Sequence, residues 1–166
     1  LGLIGFGRIA QAMARKAHYG FGMKIICTAP HTPASDVLQE FQATYYATAD
    51  EVLAESDFIS LHCPGGADTK HLINEQRLKL MKPSAHLINT ARGDVVDSKA
   101  LIKALKERWI AGAGLDVFEG EPNIDPGFLE LDNVALLPHL GSATEETRVA
   151  MGNRVLDNIA AFFAGK

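Results

Sequence analysis

Leu1-Gly2-Leu3-Ile4-Gly5 is an apolar run of strand length that passes directly into Gly5-Phe6-Gly7-Arg8-Ile9-Ala10 and a helical pattern. A strand that enters a helix through so tight a turn commits the chain to a β-α unit, which must continue into further strands to bury its faces. The helix is expected over residues 8–17, with Ile9, Met13 and Ala17 on one face. The alternation continues downstream. Residues 23–28, 58–61, 86–89, 111–117 and 134–137 are short apolar runs, broken by Pro30, Pro33 and the Pro64-Gly65-Gly66 stop. Asp50 is placed to cap a short helix holding Val52 and Leu53, and Asp97 one whose Leu101, Ile102 and Leu105 share a face. Residues 145–164 form a last amphipathic segment in which Val155, Ile159 and Phe162 follow helical spacing and the Phe162-Phe163 pair faces a core or an interface. Short apolar strands alternating with helices imply an α/β fold: one doubly wound parallel sheet covered on both faces.

A length of 166 residues suits a single domain, and 47% hydrophobic with 22% charged residues is ordinary for a globular chain. The net charge of −4 supplies no basic face to gather nucleic acid. No apolar run approaches the roughly 20 residues of a membrane helix. Cys27 and Cys63 both fall in strand-like segments, which argues against a disulfide framework and for a reduced, cytoplasmic setting. No metal site is expected. The chain opens inside a strand without a methionine, so it reads as a segment of something longer.

The glycine turn has the context of a Rossmann-type dinucleotide site: it follows a strand and opens a helix. Gly5 permits the tight turn, Gly7 lets backbone approach a pyrophosphate, and Ala10 is the small residue that helix and strand need between them. The anion would rest on the first N–H groups of the helix, beside Ile9 and the positive Arg8. A second strand in such a site should end in an acid that binds the adenosine ribose. Thr28-Ala29-Pro30-His31-Thr32 holds none. A ribose 2′-phosphate is therefore tolerated, although no arginine follows to hold it. Either NAD or NADP is expected at Ala29, Pro30 and His31, with a slight tilt toward NADP.

Three further segments follow strand ends: Asn89-Thr90-Ala91-Arg92-Gly93-Asp94, Gly114-Leu115-Asp116-Val117-Phe118-Glu119-Gly120-Glu121-Pro122, and Leu137-Pro138-His139-Leu140-Gly141-Ser142-Ala143. In an open parallel sheet ligands bind beyond the carboxyl ends of the strands, so all three converge on one crevice. Together with the glycine turn, these segments resemble the D-isomer-specific 2-hydroxyacid dehydrogenase family, from Leu1 to about Phe163. The resemblance implies that Arg92 grips the carboxylate of a small 2-oxo acid in a two-bond fork. It implies that His139 is the general acid toward the keto oxygen and that Glu121, before Pro122, orients the imidazole. Glu119 competes for that orienting role. Asp116, Thr90, Ala91 and Gly141 match positions beside the nicotinamide, and Cys63, Pro64 and Thr69 match the loop along the adenosine. Asp94 and Asp97 read instead as turn and cap residues. The sequence departs from the family at Ala10, at the missing ribose acid, and at the bare Gly65-Gly66-Ala67 loop. The family's substrate domain, built from sequence on both sides of this one, is not present in residues 1–166, which read as the dinucleotide-binding domain alone. Glyoxylate or hydroxypyruvate is the first substrate expected, and a homodimer the expected assembly. A dinucleotide-sensing scaffold, or a cofactor-binding fragment without turnover, are the competing readings.

Overall fold

The computed structural model describes residues 1–165. Its centre is a parallel sheet of seven strands in the order β3-β2-β1-β4-β5-β6-β7. The strands are β1 (Gly2–Ile4), β2 (Ile26–Thr28), β3 (Thr44–Tyr45), β4 (Phe58–Leu61), β5 (His86–Asn89), β6 (Gly112–Leu115) and β7 (Val134–Leu136). The helices are α1 (Arg8–Arg15), α2 (Ser35–Glu40), α3 (Ala49–Glu55), α4 (Glu75–Leu78), α5 (Ser98–Lys106) and α6 (Glu145–Phe163). Strand order reverses between β1 and β4, which opens a crevice at their carboxyl ends. This is the doubly wound architecture expected from the alternation of strand and helix patterns.

Two apolar clusters hold the layers. Leu3, Phe6, Ala10, Ala14, Ile25, Cys27 and Phe41 pack α1 against β1 and β2. Ile59, Leu61, Leu87, Leu101, Leu105 and Leu115 belong to the larger cluster around β4, β5, β6 and α5. Burial also pushes the Cys27 thiol up to about 11, so this side chain serves as a packing group.

Several local expectations need correction. The inner face of α1 is Ala10 and Ala14, both at 0% exposure, and Ala17 after them; Ile9 is 74% exposed. Beneath so tight a turn the helix lies too close to the sheet for branched side chains, so the methyls pack and Ile9 stays exposed. The cap of α3 is Thr48, paired with Glu51 in a reciprocal capping box, and Asp50 sits within the first turn. β3, α2 and α4 had no strong periodic signal, having two, six and four residues respectively. α6 forms as expected, but none of its residues is buried, and Val155, Ile159, Phe162 and Phe163 lie exposed. Its apolar face is therefore not part of this domain's core.

Candidate active site

Four loops at the carboxyl edge of the sheet build the site. The first is the β1–α1 turn. Gly5 has φ +90°, and a Cβ there would lie 2.8 Å from the His62 carbonyl carbon, so only glycine lets the ends of β1 and β4 approach this closely. A Cβ on Gly7 would meet nothing within 4 Å, which leaves open space above the start of α1. Side chains of Thr48, Asp97 and Thr144 cap α3, α5 and α6, yet α1 has no side-chain cap and no acid in its first turn. Free N–H groups facing open space suit an anion such as a pyrophosphate. Arg8 and Ile9 are exposed beside them, and Ala29, Pro30 and His31 follow β2 on the same edge, His31 exposed.

The second loop follows β4. Cys63 is half-buried and burial raises its thiol above the ordinary range, so it fills space and carries no ready thiolate. Thr69 donates its hydroxyl to the Pro64 carbonyl at 2.6 Å, which closes the loop on itself. The bareness of this loop has a packing reason. A Cβ on Gly65 would stand 2.7 Å from Asp94 Oδ1 and 2.9 Å from Arg92 Cγ. Asp94 in turn accepts from the Gly66 N–H at 3.2 Å, a turn-stabilising role, as expected.

Arg92 stands on the third loop, after β5. Sequence reading assigned no role to Asn89, but this buried residue shapes the turn: its Oδ1 accepts from the Ala91 N–H at 3.0 Å and its Nδ2 donates to the Arg92 carbonyl at 2.9 Å. An amide at a strand end before a tight turn is the signal that could have revealed it. The Arg92 guanidinium donates to the Ala91 carbonyl through Nη1 and is exposed, as is Thr90.

The fourth assembly joins the segments after β6 and β7. His139 Nδ1 and Glu121 Oε2 are 2.9 Å apart, and Glu121 Oε1 accepts from the Phe118 N–H at 2.7 Å. The His139 bond first, and the Phe118 N–H after it, hold the Glu121 carboxyl below its usual range. Glu119 points elsewhere, to His71 Nε2 at 2.9 Å, so geometry separates the two acids. His139 itself adopts φ 57°, a left-handed conformation that costs a non-glycine residue about 1–2 kcal/mol. The buried Asp116 compensates: its two oxygens accept from the Leu140 N–H at 2.6 Å and the Gly141 N–H at 2.8 Å. The resemblance implies a place for Asp116 beside the nicotinamide; what the geometry shows is a clamp on the loop that presents His139. Asp116→Ala is expected to lower stability by about 2–3 kcal/mol through the loss of two charge-assisted bonds. Asp116→Asn, which keeps one acceptor, should lose roughly half of that. Urea denaturation of both variants checks the order, and equal midpoints for all three proteins would refute the clamp.

Arg92, Glu121 and His139 line one cleft of about 310 Å³, together with Gly93, Asp94, Phe118 and Glu119. Glu121 and His139 also border a neighbouring apolar groove of about 620 Å³, walled by Phe118, Ile124, Leu129, Leu136 and Leu137. Among the described residues no cluster of metal-ligating side chains occurs, and no helix is long and apolar enough to cross a membrane.

A doubly wound sheet with a glycine turn at the head of its first helix, and an imidazole–carboxylate pair at the same edge, is the architecture of a dinucleotide-binding domain. The family model described as D-isomer specific 2-hydroxyacid dehydrogenase, NAD binding domain, matches residues 1–141, and the chain belongs to that family. It is 55% identical over 166 residues to the glyoxylate reductase of Thermococcus litoralis, covering 100% of this chain and 49% of the relative. A crystal structure from Polaromonas sp. JS6 66, a D-isomer specific 2-hydroxyacid dehydrogenase by description, superposes with a TM-score of 0.94 at 38% identity and covers 100% of this chain and 51% of that one. The NADPH-dependent glyoxylate/hydroxypyruvate reductase of Sinorhizobium meliloti, in complex with NADP and malonate, gives 0.91 at 41% identity, covering 98% and 49%. The chain thus spans about half the length of the curated relatives it matches.

Proposed function

We propose that this chain is the cofactor-binding part of an NAD(P)H-dependent reductase of short 2-oxo acids, with glyoxylate or hydroxypyruvate as the first candidates. The observation that carries the reading is the Glu121–His139 hydrogen bond in the cleft that Arg92 also lines. The nicotinamide supplies the hydride when bound. Gly5, Gly7 and the first turn of α1, with Arg8 and Ile9, would hold the pyrophosphate. Ala29, Pro30 and His31 would flank the adenosine ribose, and Cys63, Pro64 and Thr69 the adenosine side. Thr90, Ala91, Asp116 and Gly141 would border the nicotinamide end. Arg92 would anchor the substrate carboxylate and polarise the adjoining carbonyl. With Nδ1 committed to Glu121, His139 presents Nε2 outward, where it donates a proton to the keto oxygen or takes one back in the reverse direction.

NADP is slightly favoured over NAD, because no carboxylate follows β2 to repel a 2′-phosphate; the NADP-bound Sinorhizobium meliloti relative supports this. Residues 1–166 would form the dinucleotide-binding domain, and the remainder of the polypeptide the substrate domain. The exposed apolar residues of α6 support further packing, in keeping with a homodimer. A cytoplasmic setting agrees with the unpaired Cys27 and Cys63.

The test is absorbance decay of NADH and NADPH with the full-length polypeptide, offered glyoxylate, hydroxypyruvate and pyruvate in turn. Steady oxidation with at least one acid, faster with NADPH, is expected. Tight cofactor binding without oxidation of any acid would sink the reductase reading and favour a sensing or non-catalytic role.

A further inference from the structure

A second imidazole–carboxylate pair lies beside the first. His71 Nε2 is 2.9 Å from Glu119 Oε1, and its Nδ1 is 4.0 Å from Asp97 Oδ2, so both ring nitrogens face acids. The residue occupies the left-handed region, with φ 51°. Like His139, it stays there because it is tied on several sides. Its backbone N–H donates to the Asp94 carbonyl at 2.8 Å, and the next residues run beside Val95–Asp97, through the Ile73 N–H to the Val95 carbonyl at 2.9 Å and the Asp97 N–H to the Ile73 carbonyl at 2.9 Å. A histidine held this firmly projects a side chain with little freedom to lose, and it reaches across 48 positions of sequence to Glu119.

Glu119 lies in the cleft wall between Phe118, whose N–H holds Glu121 Oε1, and Glu121 itself, which holds His139. Phe118 and Glu119 are part-buried, while Gly120, at φ +83°, and Glu121 are exposed. Phe118 packs against the core and the Gly93 backbone lies close behind residues 118 and 119, so that end of the segment is held from within; a tether on the Glu119 side chain steadies the exposed end that carries Glu121. We propose that His71 and Glu119 form a positioning clamp that fixes segment 118–121 and thereby keeps Glu121 on His139 Nδ1. Neither residue touches the reacting atoms; both act through Glu121. The inference rests on the reductase reading for its kinetic consequence but not for its geometry.

The test uses the full-length polypeptide with His71→Ala, His71→Gln and Glu119→Gln, read by steady-state kinetics and by long-range 1H–15N spectra of the His139 ring. His71→Ala is expected to lower kcat roughly 10- to 100-fold, as small misplacements of catalytic groups do, with little change in cofactor Kd. Glu119→Gln should fall between, and His71→Gln, whose amide can still donate to Glu119, should recover most of the rate. The His139 ring should carry its proton on Nδ1 in the unsubstituted protein and a mixture of tautomers in His71→Ala. Unchanged kcat with an unchanged tautomer would overturn the clamp, as would equal losses in all three variants that track cofactor affinity. If the unsubstituted protein oxidises no cofactor, the reductase reading fails, and the tautomer spectra alone decide the clamp.

Discussion

His139→Gln in the full-length polypeptide is expected to reduce kcat for 2-oxo acid reduction by about 10²–10⁴-fold while leaving cofactor affinity nearly unchanged. Glutamine approximates the reach of the imidazole and can still meet Glu121, so the segments after β6 and β7 keep their clamp through Asp116. What it lacks is a proton that can be transferred and recovered. The loss should therefore appear in the chemical step and not in binding, which single-turnover measurements with saturating cofactor can separate. The sign of the pH effect on the pair follows from Glu121. Its carboxyl is held below the ordinary value by His139 and by the Phe118 N–H, so the bond is fully formed above the ordinary carboxylate range and is lost as pH falls through the lowered folded value. Acid loss of activity caused by Glu121 is thus expected only below that range. A His139→Gln protein that turns over at the unsubstituted rate would remove His139 from the chemistry and with it the proposed mechanism.

How far the sequence disclosed this arrangement depended on the length scale of each signal. Sheet and crossovers were legible because apolar runs such as residues 58–61 and 86–89 leave only one economical packing, strands buried on both faces. The site loops were legible as a set because parallel strands deliver their carboxyl ends to one edge, and within those loops the family resemblance singled out Arg92, Glu121 and His139. The inner face of α1 was legible only at Ala17, since hydrophobic periodicity also chose Ile9 and Met13 where close helix–sheet approach selects Ala10 and Ala14. Periodicity measures which side chains would prefer burial; it does not measure how much room lies beneath them. The same limit hid β3 and α4, too short to carry a period, and it hid the fate of α6, whose apolar stripe is real but has no surface within this domain to cover it. Asp116 and the pairing of His71 with Glu119 act through hydrogen bonds between loops far apart in sequence, for which no local pattern exists, whereas Asn89 bonds only to Ala91 and Arg92 and its signal was local. Glu121 could be preferred over Glu119 only by its place before Pro122; geometry adds that each acid has its own histidine.

Gly93→Ala should damage the protein more broadly than any change to a functional side chain. A Cβ at this position would stand 1.9 Å from the carbonyl carbon of Phe118, 2.1 Å from its oxygen and 2.4 Å from the Glu119 N. All three are backbone atoms of the loop after β6, with no flexible side-chain end to swing aside. The loops after β5 and β6 would have to separate by roughly an ångström or more to reach ordinary van der Waals distance. Overpacking of this kind costs about 1–3 kcal/mol or more. The separation also moves Arg92, one residue before Gly93, away from Glu121, three residues beyond Phe118, so the proposed substrate anchor and the carboxylate that orients His139 lose register. A further loss of about 10²-fold in kcat/KM is expected from that displacement alone. Gly114→Ala provides the comparison, because its nearest neighbour is the Ile88 Cδ1 at 3.2 Å, the end of a side chain that can rotate. Thermal melts and kcat/KM of the two full-length variants should therefore diverge sharply, Gly93→Ala losing both stability and rate and Gly114→Ala neither to any large degree. Equal behaviour of the two would show that the close approach of the β5 and β6 loops does not set the spacing of the site.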